Sequence, residues 1–394
     1  MSNGTYSNAR LIFLIVISQF ACTSLWFAGN AVVSDIIKEY HLDLRILSHI
    51  VTAVQLGFIS GTLLFSILTI SDRFSPSKVF FISALAGALA NLLVFAVGGA
   101  TGILISRYLT GFCLAGIYPV GMKIAADYHE KGLGKALGFL VGALVLGTAF
   151  PHLLKAIGAS LSWQHVMVST SAMAAGGGLL VLLFVPDGPH RAKAGKPDLS
   201  LFFKLFRNKD FRSASIGYFG HMWELYTFWA FVPVILTTYN AMHPQNAFHV
   251  PLYSFIIIGV GGLSCIVGGL LSLKYGNARV AATALLVSGL CCLLSPFMFY
   301  APPVLFAGIL LVWGLAVVAD SPQFTTLVAT SVQPAQKGTA LTIVNAIGFA
   351  ITIVSIQVVG TVLPYVDERY LYLLLAAGPV VGLAGLRRLL NKKE

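Results

Sequence analysis

The stretch Arg107-Tyr-Leu-Thr-Gly111-Phe-Cys-Leu-Ala-Gly116-Ile-Tyr118-Pro119-Val-Gly121 sets a cation inside an apolar run and spaces small residues and a proline behind it. The run that holds it, roughly residues 102–125, is long enough to cross a bilayer as a helix. Two more charges lie inside comparable runs, Glu224 in the seventh and Asp320 in the tenth, so buried charge recurs at every third segment. Charge in hydrocarbon is costly and faces a bundle interior or a water-filled cavity. The spacing predicts that segments four, seven and ten line one shared cavity, a transporter-like pattern.

Composition agrees. Of 394 residues, 57% are hydrophobic and 10% charged, against about 25% charged in soluble domains. A polytopic membrane protein is expected, and runs near 20 residues without period-two alternation select helices over a barrel. Twelve spans are predicted, at roughly 11–33, 49–70, 78–98, 102–125, 134–157, 164–185, 213–238, 253–273, 279–299, 303–327, 339–361 and 370–388. The first run is too long for a signal-peptide core and has no small-residue cleavage site behind it, so it reads as a retained helix. The five cysteines (Cys22, Cys113, Cys265, Cys291, Cys292) sit in apolar runs without metal-ligand spacing and read as small buried hydrophobes.

The net charge of +11 reports topology rather than nucleic-acid binding. With the N-terminus in the cytoplasm, Arg73, Lys78, Lys131, Lys135, Lys274, Arg279, Lys337, Arg387, Arg388, Lys392 and Lys393 all fall inside. Only Lys38, Arg45 and Arg369 fall outside, with Lys155 near a boundary. That is a positive-inside bias, and it predicts a multi-pass cell (inner) membrane protein with both termini cytoplasmic. The anionic lipid surface is the expected partner of the excess charge.

The longest hydrophilic break, 187–212, divides the chain into an N-terminal six-helix bundle (1–186) and a C-terminal one (213–394). It carries seven cations against three acids, Asp187, Asp198 and Asp210. Within it, Leu199-Ser-Leu-Phe-Phe-Lys-Leu-Phe-Arg207 reads either as a short interfacial helix or as plain linker. The connection Ser71-Asp72-Arg73-Phe74-Ser75-Pro76-Ser77-Lys78 has its counterpart six spans later in Lys274-Tyr275-Gly276-Asn277-Ala278-Arg279.

On these residues the chain resembles the major facilitator superfamily of secondary transporters. Asp72-Arg73 with Lys78 is similar to the family's second-loop signature, although Ser75-Pro76 stands where Gly-Arg is usual and Leu68 where a glycine is expected. The Arg107 stretch is similar to the family's fourth-helix motif. Gly138, Gly142, Gly147 and Pro151-His152 match the family's antiporter motif only in part, and small-residue packing explains them. The resemblance implies an all-α fold of two pseudo-symmetric six-helix bundles, with Asp72 and Arg73 gating. Arg107 lies about 8 Å below the outer boundary, so a snorkelling structural role stands beside a substrate role.

Gly217, His221, Glu224 and Phe228 follow helical spacing and share one face, with Glu224 about 18 Å from the cytoplasmic start. A carboxyl in low dielectric next to a histidine can load and release a proton, so Glu224 and His221 are the expected coupling pair. The alternative is a neutral Glu–His bond acting as interhelical glue. Asp320-Ser321-Pro322-Gln323 reads as a helix break, with Asp320 either binding substrate or capping the helix that follows. Trp26, Asn30, Tyr118, Trp223, Tyr226, Gln323 and Asn345 are further substrate-binding candidates, with core packing the alternative for the aromatics. Gln19 and Gln357 are secondary candidates, and Trp229 reads either as a pocket wall or as core packing. Lys123 and Asp127 read as a topology-setting pair at helical spacing.

The function this implies is a proton-coupled secondary transporter of a small organic solute, working by alternating access. One intramembrane Arg disfavours phosphate-ester or nitrate carriers, and two carboxylates favour a cationic, zwitterionic or neutral solute. A divalent-metal transporter using His221, Glu224 and Asp320 is the alternative. A membrane metalloenzyme is more remote, because the chain has no His-Glu-x-x-His, Gly-x-Ser-x-Gly or Gly-rich phosphate loop. The expected partners are a small-molecule solute and the bilayer, with no nucleic acid and no cofactor beyond the coupling proton, for a monomer. The orientation is testable in a cysteine-free background. An impermeant maleimide on intact cells should label Gln245→Cys and spare Lys193→Cys, and the reverse pattern overturns it.

Overall fold

Lipid offers the backbone no hydrogen bonds, so a long apolar run there has one open-ended solution, the helix. Each predicted run is helical, whole or in pieces, in the computed structural model, which describes residues 8–128, 133–158, 160–191, 201–333 and 336–392. Lys131, Lys193, Lys196, Asp198, Leu199 and Lys393, with the side chain of Lys135, lie outside the described residues. No strand occurs among the described residues.

Ten helices are long and apolar enough to cross a membrane. Spans 2 to 6 are Ile46–Ile67, Pro76–Phe95, Gly99–Tyr128, Gly138–Ile157 and Gln164–Phe184. Spans 8 to 12 are Val250–Tyr275, Asn277–Met298, Pro303–Thr330, Lys337–Val362 and Glu368–Leu390. Span 7 is one helix, Lys209–Met242, with Pro233 inside it. Span 1 is built in pieces, Asn8–Thr23, Ala28–Ala31 and Val33–Tyr40. Its interruption at Ser24–Phe27 has no strong breaker residue and is not foreseen from the sequence. Spans 4 and 10 are interrupted too, at Ala115–Ile117 and at Asp320. In both, the helix resumes with a proline in its first turn, Pro119 and Pro322, where the missing N–H costs nothing. Twelve crossings put the start of span 1, the end of span 6, the start of span 7 and the end of span 12 on one face, called here the terminal face; the opposite one is the far face.

Helices in lipid associate by close packing rather than by hydrophobic effect. A Cβ on Gly57 would lie 2.0 Å from the Tyr108 carbonyl, and one on Gly111 would lie 2.0 Å from the Val54 carbonyl. Spans 2 and 4 therefore touch backbone to backbone. The same logic joins the halves where Gly142 of span 5 faces Gly262 of span 8. Side-chain bonds join them on the far side: Gln357 Nε2 donates to Thr52 Oγ1 at 2.6 Å, and Asn30 Nδ2 to the Ala230 carbonyl at 3.2 Å.

At the terminal face, Leu201–Arg207 does form a short helix, with Leu205 buried and Phe203 exposed. The loop between spans 2 and 3 is organised around Asp72, which accepts Lys123 Nζ at 2.8 Å; the same Nζ lies 3.8 Å from Asp127. Arg191 donates to the carbonyls of Asp72 and Phe74. The cation of this corner is thus Lys123 rather than Arg73, which is exposed and makes no ion pair among the described residues. Packing alone generates a prediction. Gly57→Val should cost about 1–3 kcal/mol through overpacking and lower the melting temperature in detergent. Gly308→Ala, which meets nothing within 4 Å, should leave it unchanged.

Candidate functional site

The face predicted for span 7 exists, and it lies along span 10. Gly217 abuts Phe324, and the His221 and Phe324 rings are 5.9 Å apart. His221 Nδ1 lies 2.8 Å from Asp320 Oδ1, Glu224 meets Trp313, and Phe228 stacks on Trp313 at 4.5 Å. His221, Glu224 and Asp320 are all about 1% exposed.

Within that face the expected pairing changes. Glu224 does not bond to His221. Its Oε1 accepts from Trp313 Nε1 at 2.7 Å and from Cys292 Sγ at 3.3 Å, and its Oε2 accepts from Ser288 Oγ at 2.9 Å. Three helices therefore meet on one carboxylate: spans 7, 9 and 10. One helical turn towards the terminal face, His221 lies within ion-pair distance of Asp320 instead, a contact outside hydrogen-bond geometry, and its Nε2 has no hydrogen-bond partner among the described residues. Asp320 occupies the N-cap position of Ser321–Thr330, yet its side chain makes no cap bond. It turns to the histidine.

Arg107 is fully buried and faces neither Glu224 nor lipid. Its Nη1 donates to Asn91 Oδ1 at 2.5 Å, and its Nη2 to the carbonyls of Leu25 at 2.6 Å and Trp26 at 3.2 Å. Those carbonyls are freed by the interruption of span 1. Asn91 in turn donates to Met167 O and Ser171 Oγ of span 6, both at 3.0 Å. The shared cavity predicted for Arg107, Glu224 and Asp320 is not what the geometry builds. Each half instead holds its own junction, spans 1, 3 and 4 around Arg107 and spans 7, 9 and 10 around Glu224. These are equivalent positions six spans apart.

The seam between the halves is lined by other side chains. Trp26 stacks on Tyr226 at 5.7 Å and on Phe349 at 5.9 Å, with Phe58 at 4.8 Å. Trp229 lies edge-on to Tyr226 and to Phe27. The indole N–H groups of Trp26 and Trp229 and Oδ1 of Asn30 have no hydrogen-bond partner among the described residues. Buried polar groups are ordinarily satisfied, so these three leave hydrogen-bonding capacity at the seam. Tyr118 and Asn345 are half-buried. Trp223 leaves the group, donating to the Leu374 carbonyl of span 12. Gln323 is buried against Gly268 of span 8. No cluster of three or more His, Cys, Asp or Glu side chains able to hold a metal occurs among the described residues.

Twelve interrupted and continuous spans in two equivalent sets define the class, a polytopic membrane transporter. The family model described as Major Facilitator Superfamily matches residues 12–356, and the chain belongs to that family. No curated protein matches the sequence. Among solved structures, the nucleoside transporter NupG is similar with a TM-score of 0.73 at 17% identity, covering 97% of this chain and 100% of its own. The human organic anion transporter MFSD10 (TETRAN) is similar with a TM-score of 0.74 at 14% identity, with the same coverage of 97% and 100%. A bacterial homolog of the human lysosomal transporter Spinster, inward-facing and unoccupied, gives 0.65 at 15% identity over 99% of this chain and 96% of its own.

Asn91, Ser288, Cys292 and Trp313 were missed by sequence reasoning. Asn91 is an amide inside an apolar run and carries some signal; the others are ordinary in membrane helices. The Arg107 junction yields a prediction. Asn91→Leu strips the guanidinium of its one side-chain acceptor, a loss of about 3 kcal/mol for a broken buried charge contact. Asn91→Asp keeps an acceptor there. Thermal unfolding in detergent should separate the two, and equal melting points would show that the bond carries no stability.

Proposed function

We propose that this superfamily member is a proton-coupled secondary transporter that moves a small, uncharged, flat organic solute by alternating access of its two six-helix halves, 1–186 and 213–394. The seam supports the solute class. It offers aromatic faces, two indole donors and one amide acceptor, all neutral. The nearby charges are engaged within their own halves: Arg107 with Asn91 and carbonyls, Glu224 with three donors, Asp320 with His221. A nucleoside, the solute named for NupG, has this chemistry. An organic anion, named for MFSD10, would require a cation at the seam. The divalent-metal reading finds no ligand cluster to support it among the described residues.

The observation that carries the coupling is the buried contact between His221 and the break of span 10. A proton on the histidine with an ionised Asp320 holds spans 7 and 10 together. Adding a proton to the carboxylate, or removing it from the ring, dissolves that attraction and frees the interrupted span to move. Glu224, bonded on both oxygens, serves as the anchor behind this pair rather than as its partner. The far-side bonds of Gln357 and Asn30 support a resting state closed towards the far face. In this reading the terminal face is cytoplasmic, the membrane is the cell (inner) membrane, and the monomer is the working unit.

Proteoliposomes test it with a panel of neutral heteroaromatic solutes, zwitterions and organic anions under an imposed pH gradient. The wild type should accumulate a neutral heteroaromatic solute. Asp320→Asn should abolish gradient-driven accumulation while preserving counterflow exchange. Undiminished accumulation by Asp320→Asn sinks the coupling role, and accumulation of organic anions alone sinks the solute class.

A further inference from the structure

Spans 8, 9 and 10 leave a fissure of about 680 Å³ on the outer wall of the second half. Its walls come from Leu263, Val267 and Leu271 of span 8, Val287 of span 9, and Val312 and Leu315 of span 10. Leu263, Val267, Leu271 and Val312 are between 44% and 61% exposed, so the fissure opens outward towards the hydrocarbon. The two aliphatic hydroxyls within it are used locally: Ser264 donates to the Gly261 carbonyl and Thr283 to the Arg279 carbonyl. The interior is therefore apolar along its length.

The terminal end is different. Tyr275 and Arg279 form its mouth, and Lys274 Nζ sits over the Tyr275 ring at 5.2 Å from the centroid. The connection Lys274-Tyr275-Gly276-Asn277-Ala278-Arg279 contains no acid, and neither cation makes an ion pair among the described residues. From Leu263 to Tyr275 the helix rises about 18 Å. One leaflet of hydrocarbon is about 15 Å thick, half of the usual core. An apolar slot one leaflet long, open to lipid and headed by two unpaired cations, is complementary to one kind of molecule.

We propose that this fissure binds one anionic phospholipid, with an acyl chain between spans 8, 9 and 10 and the phosphate on Arg279 and Lys274. The floor of the slot includes Gly268 and Ala319. A Cβ on Gly268 would lie 2.8 Å from the Ala319 carbonyl, and Ala319 immediately precedes Asp320. A bound chain therefore rests on the outside of the break whose inner side holds His221. A second copy of this chain is the competing occupant, but a two-fold contact here would bring like charges together at the mouth.

The full-length protein in detergent, mixed with equal amounts of phosphatidylglycerol and phosphatidylcholine, can be read by native mass spectrometry. The wild type should retain one phosphatidylglycerol in preference to phosphatidylcholine. Arg279→Gln should reduce that preference about fivefold, the effect of one basic residue at an anionic surface. Val267→Trp, which places an indole in the slot from an exposed position, should reduce retention of both lipids, and Arg387→Gln should change neither. Equal retention of the two lipids by the wild type, or a preference that survives Arg279→Gln, overturns the proposal. So does a wild-type dimer that Val267→Trp dissociates, because the slot then belongs to a second copy.

Discussion

A charge that has left water must find its hydrogen bonds inside the protein, and in this molecule that need binds the helices of each half together, although Arg107 Nε has no partner among the described residues. Arg107 answers it with an amide and two main-chain carbonyls; Glu224 answers it with an indole, a thiol and a hydroxyl. The signs are opposite, yet the architecture is the same. Arg107 on the fourth span ties it to the first and third, and Glu224 on the seventh ties it to the ninth and tenth. Removing any partner leaves a buried charge short of a hydrogen bond, so each junction constrains three helices at once.

The junctions also explain how an interrupted helix survives in a membrane. Irregular backbone at bilayer depth is tolerated where protein groups satisfy it. The interruption of span 1 releases the Leu25 and Trp26 carbonyls, and the Arg107 guanidinium takes them up. The interruption of span 10 places Asp320 against His221. Three-helix junctions thus lie inside each half, and a neutral aromatic seam lies between the halves.

Much of the architecture was legible in the chain. Runs such as Val250–Tyr275 are too apolar and too long for anything but a crossing, and the basic residues flanking them give its orientation a physical basis. The helical period also placed Gly217, His221, Glu224 and Phe228 on one face, and all four do meet span 10. What that face touches was not legible. Periodicity gives an angle around one helix axis, and the neighbour at that angle depends on how twelve helices pack. So the histidine expected to partner Glu224 partners Asp320, and Trp223, expected beside them, packs on span 12.

The sequence by itself determined that this is a twelve-span helical membrane protein, with its buried charges on spans four, seven and ten. Hydrocarbon cannot solvate backbone or charge, so composition and spacing suffice for that much. Only the tertiary structure decided that those charges serve two separate junctions instead of one cavity, and that the seam between the halves is uncharged. A buried ion takes whichever donors or acceptors the packing brings within about 3 Å. Here Asn91 comes from the neighbouring span, while Ser288, Cys292 and Trp313 lie 64, 68 and 89 residues from Glu224, and the sequence carries no record of that proximity.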